Sequence, residues 1–358
     1  IKRSGQIQMT KLTNFLSEYQ RPIHDPLELD LALFSRLVEL PLTMATSELA
    51  LPAKLPDFCA TLLAQIQAKD YLTLPAGRQL LEQIAHSNRY QKVTLEELSP
   101  DDENFLAITF GITKTLKVIA FRGPNGTLLS WQKDLHFALT DPTTLQTAAQ
   151  TYLQRSLQTD DRQIICVGFS RGAAIAALAC HHLTAPATQR IQQVFLFESP
   201  GLPLGDYRFE VPIVELLAPL SVFSLVGMHP FPQRTIESLN AGIWQHDLTS
   251  WVADRAGNFA GTVGIADPKG LDPSPFFKQL SPNITEEDAN RIVAVLFAVF
   301  REANYPSIPE LIKHWNQFTG LIHQQVRNEN SVVQLSVNRI QQIIFQNAAT
   351  NLQAALRR

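Results

Sequence analysis

Cysteine is scarce in this sequence of 358 residues. The three cysteines, Cys59, Cys166 and Cys180, are far apart, show no CxxC spacing and are odd in number. These features argue against a disulfide framework or a zinc knuckle, and they fit a reducing compartment.

Long apolar runs are also lacking. The longest notable run, "IVAVLFAVF" at 292–300, is much shorter than the roughly 20 residues that a membrane-spanning helix needs. The first residues, "IKRSGQIQ", contain no apolar signal-peptide core. We therefore expect a cytoplasmic protein without a transmembrane segment.

Neither sign of charge is in clear excess. Lysine and arginine total 30, aspartate and glutamate total 33, and the net charge is -3. Without a basic stripe, nucleic acid is not an expected partner. The sequence contains no metal-ligand spacing and no phosphate-cradling loop, so we expect neither a metal nor another cofactor. It gives no indication of oligomeric state.

The secondary structure that the residue pattern predicts changes near residue 104. Before it, "DPLELDLALFSRLVEL" predicts a helix with Asp25 as N-cap, and residues up to 100 predict mainly helix and loop. From there, "NFLAITFGITKTLKVIAFRG" predicts two strands with a turn near Gly111, and strands then alternate with helices to about residue 256. The strand signal fades after that point, and helical patterns return.

This order predicts an α/β fold with a mostly parallel sheet flanked by helices. We expect a helical N-terminal extension over 1–100, a core over 101–256 and a helical C-terminal cover over 257–358. The three parts are expected to pack as one compact unit.

The stretch "QIICVGFSRGAAIAALAC" contains a G-x-S-x-G pattern, with Ser170 between Gly168 and Gly172. The pattern alone arises by chance in about one chain in ten of this length. Here it follows an apolar, strand-like run and precedes an alanine-rich helical run, which is the context of a nucleophile elbow. A helix beginning at this turn would offer backbone N–H groups to a developing oxyanion. Ser170 is therefore the predicted nucleophile.

A serine nucleophile needs a base, and in α/β-hydrolases the chain order is serine, acid, histidine. His246 follows the last predicted strand, "RTIESL", and a turn at 240–242, so its loop can reach the elbow. We predict His246 as the base and keep His229 in reserve. The other histidines after Ser170 end the elbow helix or lie in helical cover: His181, His182, His314 and His323.

The acid is less clearly marked. The usual position follows the strand before the histidine, but residues 219–232 contain no Asp or Glu. Glu198 ends the strand "QQVFLFE" beside the elbow strand and is the preferred acid. Asp206 is the alternative, and Asp247 is a third choice.

Several stretches together resemble the bacterial Mbeg1-like proteins, a family similar to the class 3 lipases of the α/β-hydrolase superfamily. They are "KVIAFRGPNGTLLSWQKDLHF", "CVGFSRGAAIAALA", "FLFESPG", "SLVGM" and "GIWQHDLTSW", and the resemblance covers nearly the whole chain. It implies an α/β-hydrolase-like fold and a serine hydrolase with Ser170 as nucleophile and His246 as base. It also implies an oxyanion hole built from the N–H of Arg171 and a donor near Gly123.

Three residues depart from the family pattern. Pro124 stands where the lipases use a backbone N–H, which proline lacks, so the second oxyanion donor must come from Gly123 or Asn125 or be absent. Phe223 stands where family members often carry an Asp. Glu198 replaces the family Asp in F-D-G-P-G, so the acid is kept but is one methylene longer.

From these residues we expect a lipase-like or esterase-like serine hydrolase that cleaves a carboxylic ester, either a small molecule or a lipid. The alternative is a catalytically weak or inactive hydrolase-fold protein that acts as a binding or interaction module. A transacylase would use the same chemistry, and the sequence does not separate it from a hydrolase.

Overall fold

The computed structural model describes residues 11–67, 76–100, 105–123, 143–203, 206–218, 228–240, 245–264, 286–303, 314–339 and 341. The strands are β1 Ala53–Lys54, β2 Thr94–Leu98, β3 Ala107–Gly111, β4 Leu116–Phe121, β5 Gln163–Phe169, β6 Ile191–Phe197, β7 Ile213–Leu217, β8 Gln233–Ile236 and β9 Gly261–Gly264. The helices are α1 Leu12–Glu18, α2 Glu28–Leu37, α3 Thr43–Thr46, α4 Leu55–Gln65, α5 Gly77–His86, α6 Thr143–Thr159, α7 Arg171–Ala179, α8 Glu286–Ala303 and α9 Trp315–Val326. Residues 331–339 are also helical.

The nine strands form one sheet in the order in which they occur in the chain. Strands β4 to β8 run parallel, and antiparallel strands extend the sheet on both sides of them. The predicted hairpin is confirmed as β3 and β4, with Gly111 paired to Lys117. The parallel centre with flanking helices confirms the α/β-hydrolase-like fold.

The sequential strand order determines which elements cover each face. Parallel crossovers are almost always right-handed, so successive connections in one direction lie on the same face of the sheet. Helices α6 and α7 accordingly share one face, where Leu153 and Ile175 pack with Ile119 and Cys166. The opposite face must be covered by segments from outside the crossovers.

Helices near the N-terminus supply that cover. Leu33, Phe34 and Phe58 pack on Val118 and Val167 of the opposite face. Residues 31–40 are all buried, although they include charged side chains. The end of α2 therefore lies against the parallel strands, and it contacts β5 directly.

Three details differ from the sequence prediction. Strands β1 and β2 lie within the region predicted as helix and loop, and β9 follows the predicted end of the strand-rich region. Asp25 does not cap α2, because the helix begins at Glu28 and the Leu27 N–H donates to the Asp30 carboxylate at 2.7 Å. Asp30 also accepts a hydrogen bond from Arg89 Nε at 2.6 Å, so the carboxylate at the start of this helix is held by a tertiary ion pair.

Helices α8 and α9 pack against each other near the C-terminus. Ile292, Val299, Phe318 and Ile322 are buried in this pair. Within the described part of the chain, no helix has the length and apolar character needed to cross a membrane.

Candidate active site

Ser170 occupies a sharp turn between β5 and α7. Its φ of 54° and ψ of -128° lie in a region that residues other than glycine rarely adopt. The Ser170 N–H donates to the Phe197 carbonyl oxygen at 2.9 Å, which ties the turn to the end of β6. Strained backbone of this kind persists only where the surroundings hold it, and it is concentrated at functional sites.

The two glycines of the pattern allow the turn to pack tightly. A Cβ on Gly172 would overlap the carbonyl oxygen of Phe121 and lie 2.8 Å from Gly123 N. A Cβ on Gly168 would lie 2.5 Å from Ala173 N in the first turn of α7. Only glycine permits this approach of strand, helix and loop, so the pattern has a steric cause here.

Glu198 follows β6, directly beside the elbow. It is fully buried and also has a positive φ, 51°. Its N–H donates to the Leu216 carbonyl at 2.9 Å, and its Oε1 accepts the Ala218 N–H at 2.5 Å. These bonds hold the carboxylate at the carboxyl end of the sheet.

His246 meets this carboxylate. Its Nδ1 lies 3.0 Å from Glu198 Oε2, and because a carboxylate only accepts, Nδ1 carries the proton and donates it. The imidazole also contacts the Phe169 ring, with centroids 4.7 Å apart. Phe169 immediately precedes Ser170, so histidine, acid and elbow lie at one end of the parallel strands.

The region that contains these residues matches a known protein family. A family model described as Mbeg1-like matches residues 84–298, which include Ser170, Glu198 and His246. The chain belongs to the Mbeg1-like family. The family suggested by the sequence motifs is thereby confirmed.

Among solved structures, this Mbeg1-like chain is similar to a mutant of MDLA from Penicillium cyclopium, with 14% identity and a TM-score of 0.35 over 66% of this chain and 85% of that one. It is also similar to a structure described as a fungal lipase, with 15% identity and a TM-score of 0.35 over 72% of this chain and 90% of that one. No curated protein sequence matches the chain.

The two other acid candidates of this Mbeg1-like protein have different surroundings. Asp247 accepts the Thr249 N–H at 3.0 Å and the Thr249 hydroxyl at 2.6 Å, so it caps the single helical turn Leu248–Ser250. Asp206 is exposed. Burial and the adjacent His182 lower the pKa of His181, and the charge of Asp206 opposes this effect.

The reserve base, His229, forms a second histidine–carboxylate pair. Its Nδ1 lies 2.8 Å from Oε2 of Glu215, a fully buried residue within β7. Gln233 on β8 donates to the same oxygen at 3.1 Å. The described residues thus include two histidine–carboxylate pairs, and in the Glu198–His246 pair the imidazole contacts Phe169, the residue before Ser170.

The proposed oxyanion residues lie where α7 meets the loop after β4. Arg171 is the first residue of α7, and the backbone N–H groups in the first turn of a helix point out of its N-terminal end. The Arg171 side chain donates to the Gly123 carbonyl at 3.4 Å, which joins helix and loop. Pro124, Asn125 and Phe223 lie outside the described residues.

Three residues around the proposed acid and base have no role that the sequence predicts. The Ala218 N–H binds Glu198, and the Trp251 indole donates to the Gln245 carbonyl at 2.7 Å, just before His246. Arg36 of α2 contacts Phe169. A backbone donor leaves no mark in a sequence, but Arg36 is visible there as a charge that closely follows the apolar residues 31–34 of α2.

Proposed function

We propose that the protein is a serine hydrolase that cleaves a carboxylic ester through an acyl-enzyme. The observation that carries the proposal is the hydrogen bond of 3.0 Å between the buried Glu198 and His246, beside the strained turn at Ser170. Ser170 and Glu198 follow the carboxyl ends of the neighbouring strands β5 and β6, where α/β sheets hold ligands, and the contact of His246 with Glu198 supports a role for it as base beside them.

The proposed reaction begins with attack of Ser170 Oγ on the ester carbonyl carbon. His246 Nε2 accepts the hydroxyl proton and then delivers it to the departing alkoxide, which leaves as an alcohol. Water then attacks the acyl-enzyme, with His246 accepting its proton and returning one to Ser170. Glu198 holds Nδ1 and stabilises the imidazolium.

The oxyanion would be stabilised by the N–H of Arg171, with a second donor from Gly123. The close approach of the Gly123 backbone to Gly172 supports this arrangement. Pro124 cannot donate, and removing one oxyanion donor typically costs about 100- to 1000-fold in rate. The substrate class that we propose is a small-molecule or lipid ester with an apolar acyl group.

Pro124 also favours a second candidate function, a weak or inactive hydrolase-fold protein that binds a partner or ligand. In that case Ser170 would keep its turn because the packing of Gly168 and Gly172 requires it. The two functions differ in the reactivity of the serine hydroxyl.

Labelling with a fluorophosphonate probe at neutral pH tests the proposal. We expect labelling of the wild type and none of Ser170→Ala. Ser199→Ala is the matched control, because Ser199 is also buried at a strand end but its hydroxyl accepts the Gly201 N–H at 3.0 Å. A folded wild type that resists the probe would favour the binding function. A panel of esters of varied acyl length would then define the substrate.

A further inference from the structure

A buried ion pair lies near the proposed base and joins Arg36 of α2 to Glu39, just after the end of that helix. Arg36 NH1 is 2.8 Å from Glu39 Oε2, and the two side chains are only 3% and 0% exposed. The Arg36 guanidinium carbon lies 4.0 Å from the centroid of the Phe169 ring. That same ring contacts the His246 imidazole.

This pair also reaches the loop proposed for the oxyanion. Glu39 Oε1 lies 3.1 Å from the position that a Cβ on Gly123 would take. The ion pair therefore approaches two parts of the site. Arg36 contacts the Phe169 ring, and Glu39 lies near the backbone of Gly123. Neither residue is needed for the chemical steps proposed above.

Burying an ion pair in a protein core costs desolvation free energy. Taking two charges out of water costs several kcal/mol per ion, and well-packed apolar residues often stabilise a core equally well. A planar guanidinium, however, stacks on an aromatic face and keeps its hydrogen bonds in the ring plane, which neither lysine nor methionine does. The position of Arg36 is therefore suited to holding the Phe169 ring.

We propose that Arg36 is a positioning residue that, through Phe169, fixes the His246 imidazole for proton transfer, and that Glu39 neutralises its charge there. This proposal rests on the proposed function, because it assumes that His246 is the base. Arg36 Cζ is no more than about 9 Å from the His246 ring centre, a separation at which unit charges still interact inside a protein.

The electrostatic part depends on every charge near His246. Among the described residues, the charged groups on the elements packed around this site include Glu198 after β6, Arg36 on α2, Glu39 just after that helix, Arg122 after β4, Arg171 on α7 and Asp247 next to His246. Removing Arg36 alone takes a positive charge away from the neighbourhood of the imidazole, which favours the imidazolium. Removing both charges together restores the balance but not the stacking.

The test measures two quantities in Arg36→Lys, Arg36→Gln and the double variant Arg36→Gln/Glu39→Gln. The first is the pH dependence of the rate at which the fluorophosphonate labels Ser170. The second is the titration midpoint of the His246 imidazole by NMR, assigned by comparison with His246→Gln. Folded protein is quantified by thermal unfolding, and rates are expressed per folded molecule.

Arg36→Lys should lower the labelling rate by about 10- to 100-fold with an unchanged midpoint, because charge is kept and geometry is lost. Arg36→Gln should move the midpoint upward by about one pH unit. The double variant should return it toward the wild-type value while the rate stays low. Wild-type rates and midpoints in all three variants would overturn the proposal.

Arg89→Lys is the matched control. Arg89 is also buried and pairs with Asp30 of α2, the helix that carries Arg36. Its guanidinium carbon lies 5.3 Å from the centroid of the Phe15 ring. It should lower stability without changing the His246 midpoint or the labelling rate. If the wild type is not labelled at all, the hydrolase proposal fails, and the NMR midpoints alone decide the role of Arg36.

Discussion

The Glu198 carboxylate and the His246 imidazole share a hydrogen bond of 3.0 Å although 48 positions separate them in the chain. Two features of the sheet make this contact possible. Glu198 adopts a positive φ immediately after β6, and Trp251 holds the carbonyl of the residue before His246. The proposed acid thus follows the strand next to the elbow strand, and the proposed base lies in the segment after β8.

Replacing Glu198 should reveal whether this bond activates the serine. In Glu198→Gln, the side-chain oxygen can still accept the Ala218 N–H, but the amide NH₂ then faces His246 Nδ1 and favours the wrong tautomer. We expect the rate of fluorophosphonate labelling to fall by about a thousandfold or more. Asp206→Asn, which changes an exposed carboxylate, should label at the wild-type rate. Equal rates for both variants would remove Glu198 from the role of acid.

The two histidine–carboxylate pairs give opposite expectations. His246→Gln should abolish labelling of Ser170 while the protein stays folded, because the imidazole is part of the proposed proton transfer. His229→Gln should retain labelling but lose stability, about 1–3 kcal/mol, because it leaves the buried Glu215 without its imidazole partner. Labelling rates and urea unfolding of both variants distinguish the two histidines. Labelling that depends on His229 would reverse the assignment.

Much of the fold was predictable because apolar periodicity and turn residues are local signals. The elbow context, the β3–β4 hairpin and the burial of Leu29, Leu33 and Leu37 follow from them. Short strands give weak signals. Strand β1 has two residues and is defined by its pairing with β2, which lies about 40 positions later in the chain.

The site was predictable to a different degree. Ser170 is marked by its pattern, and Glu198 by its place at a strand end. The approach of Glu198 to His246 depends on tertiary structure, and so does the contact of Arg36 with Phe169. Charge patterns in a sequence do not state which buried partner a guanidinium will meet, so the role of α2 near the base emerges only from the fold.

The steric origin of the glycine pattern leads to a third prediction. Gly172→Ala should destabilise the protein by several kcal/mol and abolish labelling, since its methyl group would overlap the Phe121 carbonyl oxygen. Gly320→Ala in α9 is the matched control, because nothing lies within 4 Å of the new methyl group. Alanine should stabilise that helix by up to about 1 kcal/mol. Unfolding free energies from urea titration test both, and a neutral Gly172→Ala would contradict the packing at the elbow.

The last prediction concerns a buried lysine at the other end of the parallel strands. The Lys117 side chain is 1% exposed, and its Nζ donates to the Ser156 carbonyl at 2.6 Å and to Asp160 at 3.3 Å. Burial lowers the pKa of Lys117. Burial alone would raise the pKa of Asp160, but hydrogen bonds from Arg162 and Lys117 outweigh it and hold that pKa well below its usual range.

A carboxylate whose pKa is lower in the folded state than in the unfolded state stabilises the fold above the unfolded value, about 3.9, and this contribution is lost as the pH falls below it. Asp160→Asn should therefore cost about 1–3 kcal/mol near neutral pH, and the deficit relative to wild type should shrink as the pH falls from about 4 toward 2. Asp161→Asn is the matched control. The carboxylate of Asp161 is next to Asp160 in the chain but is fully exposed, so it should contribute little to stability at any pH. Urea unfolding of the three proteins between pH 2 and 7 measures this, with the range chosen around the unfolded pKa. A deficit for Asp160→Asn that is independent of pH would show that the carboxylate does not act through its charge.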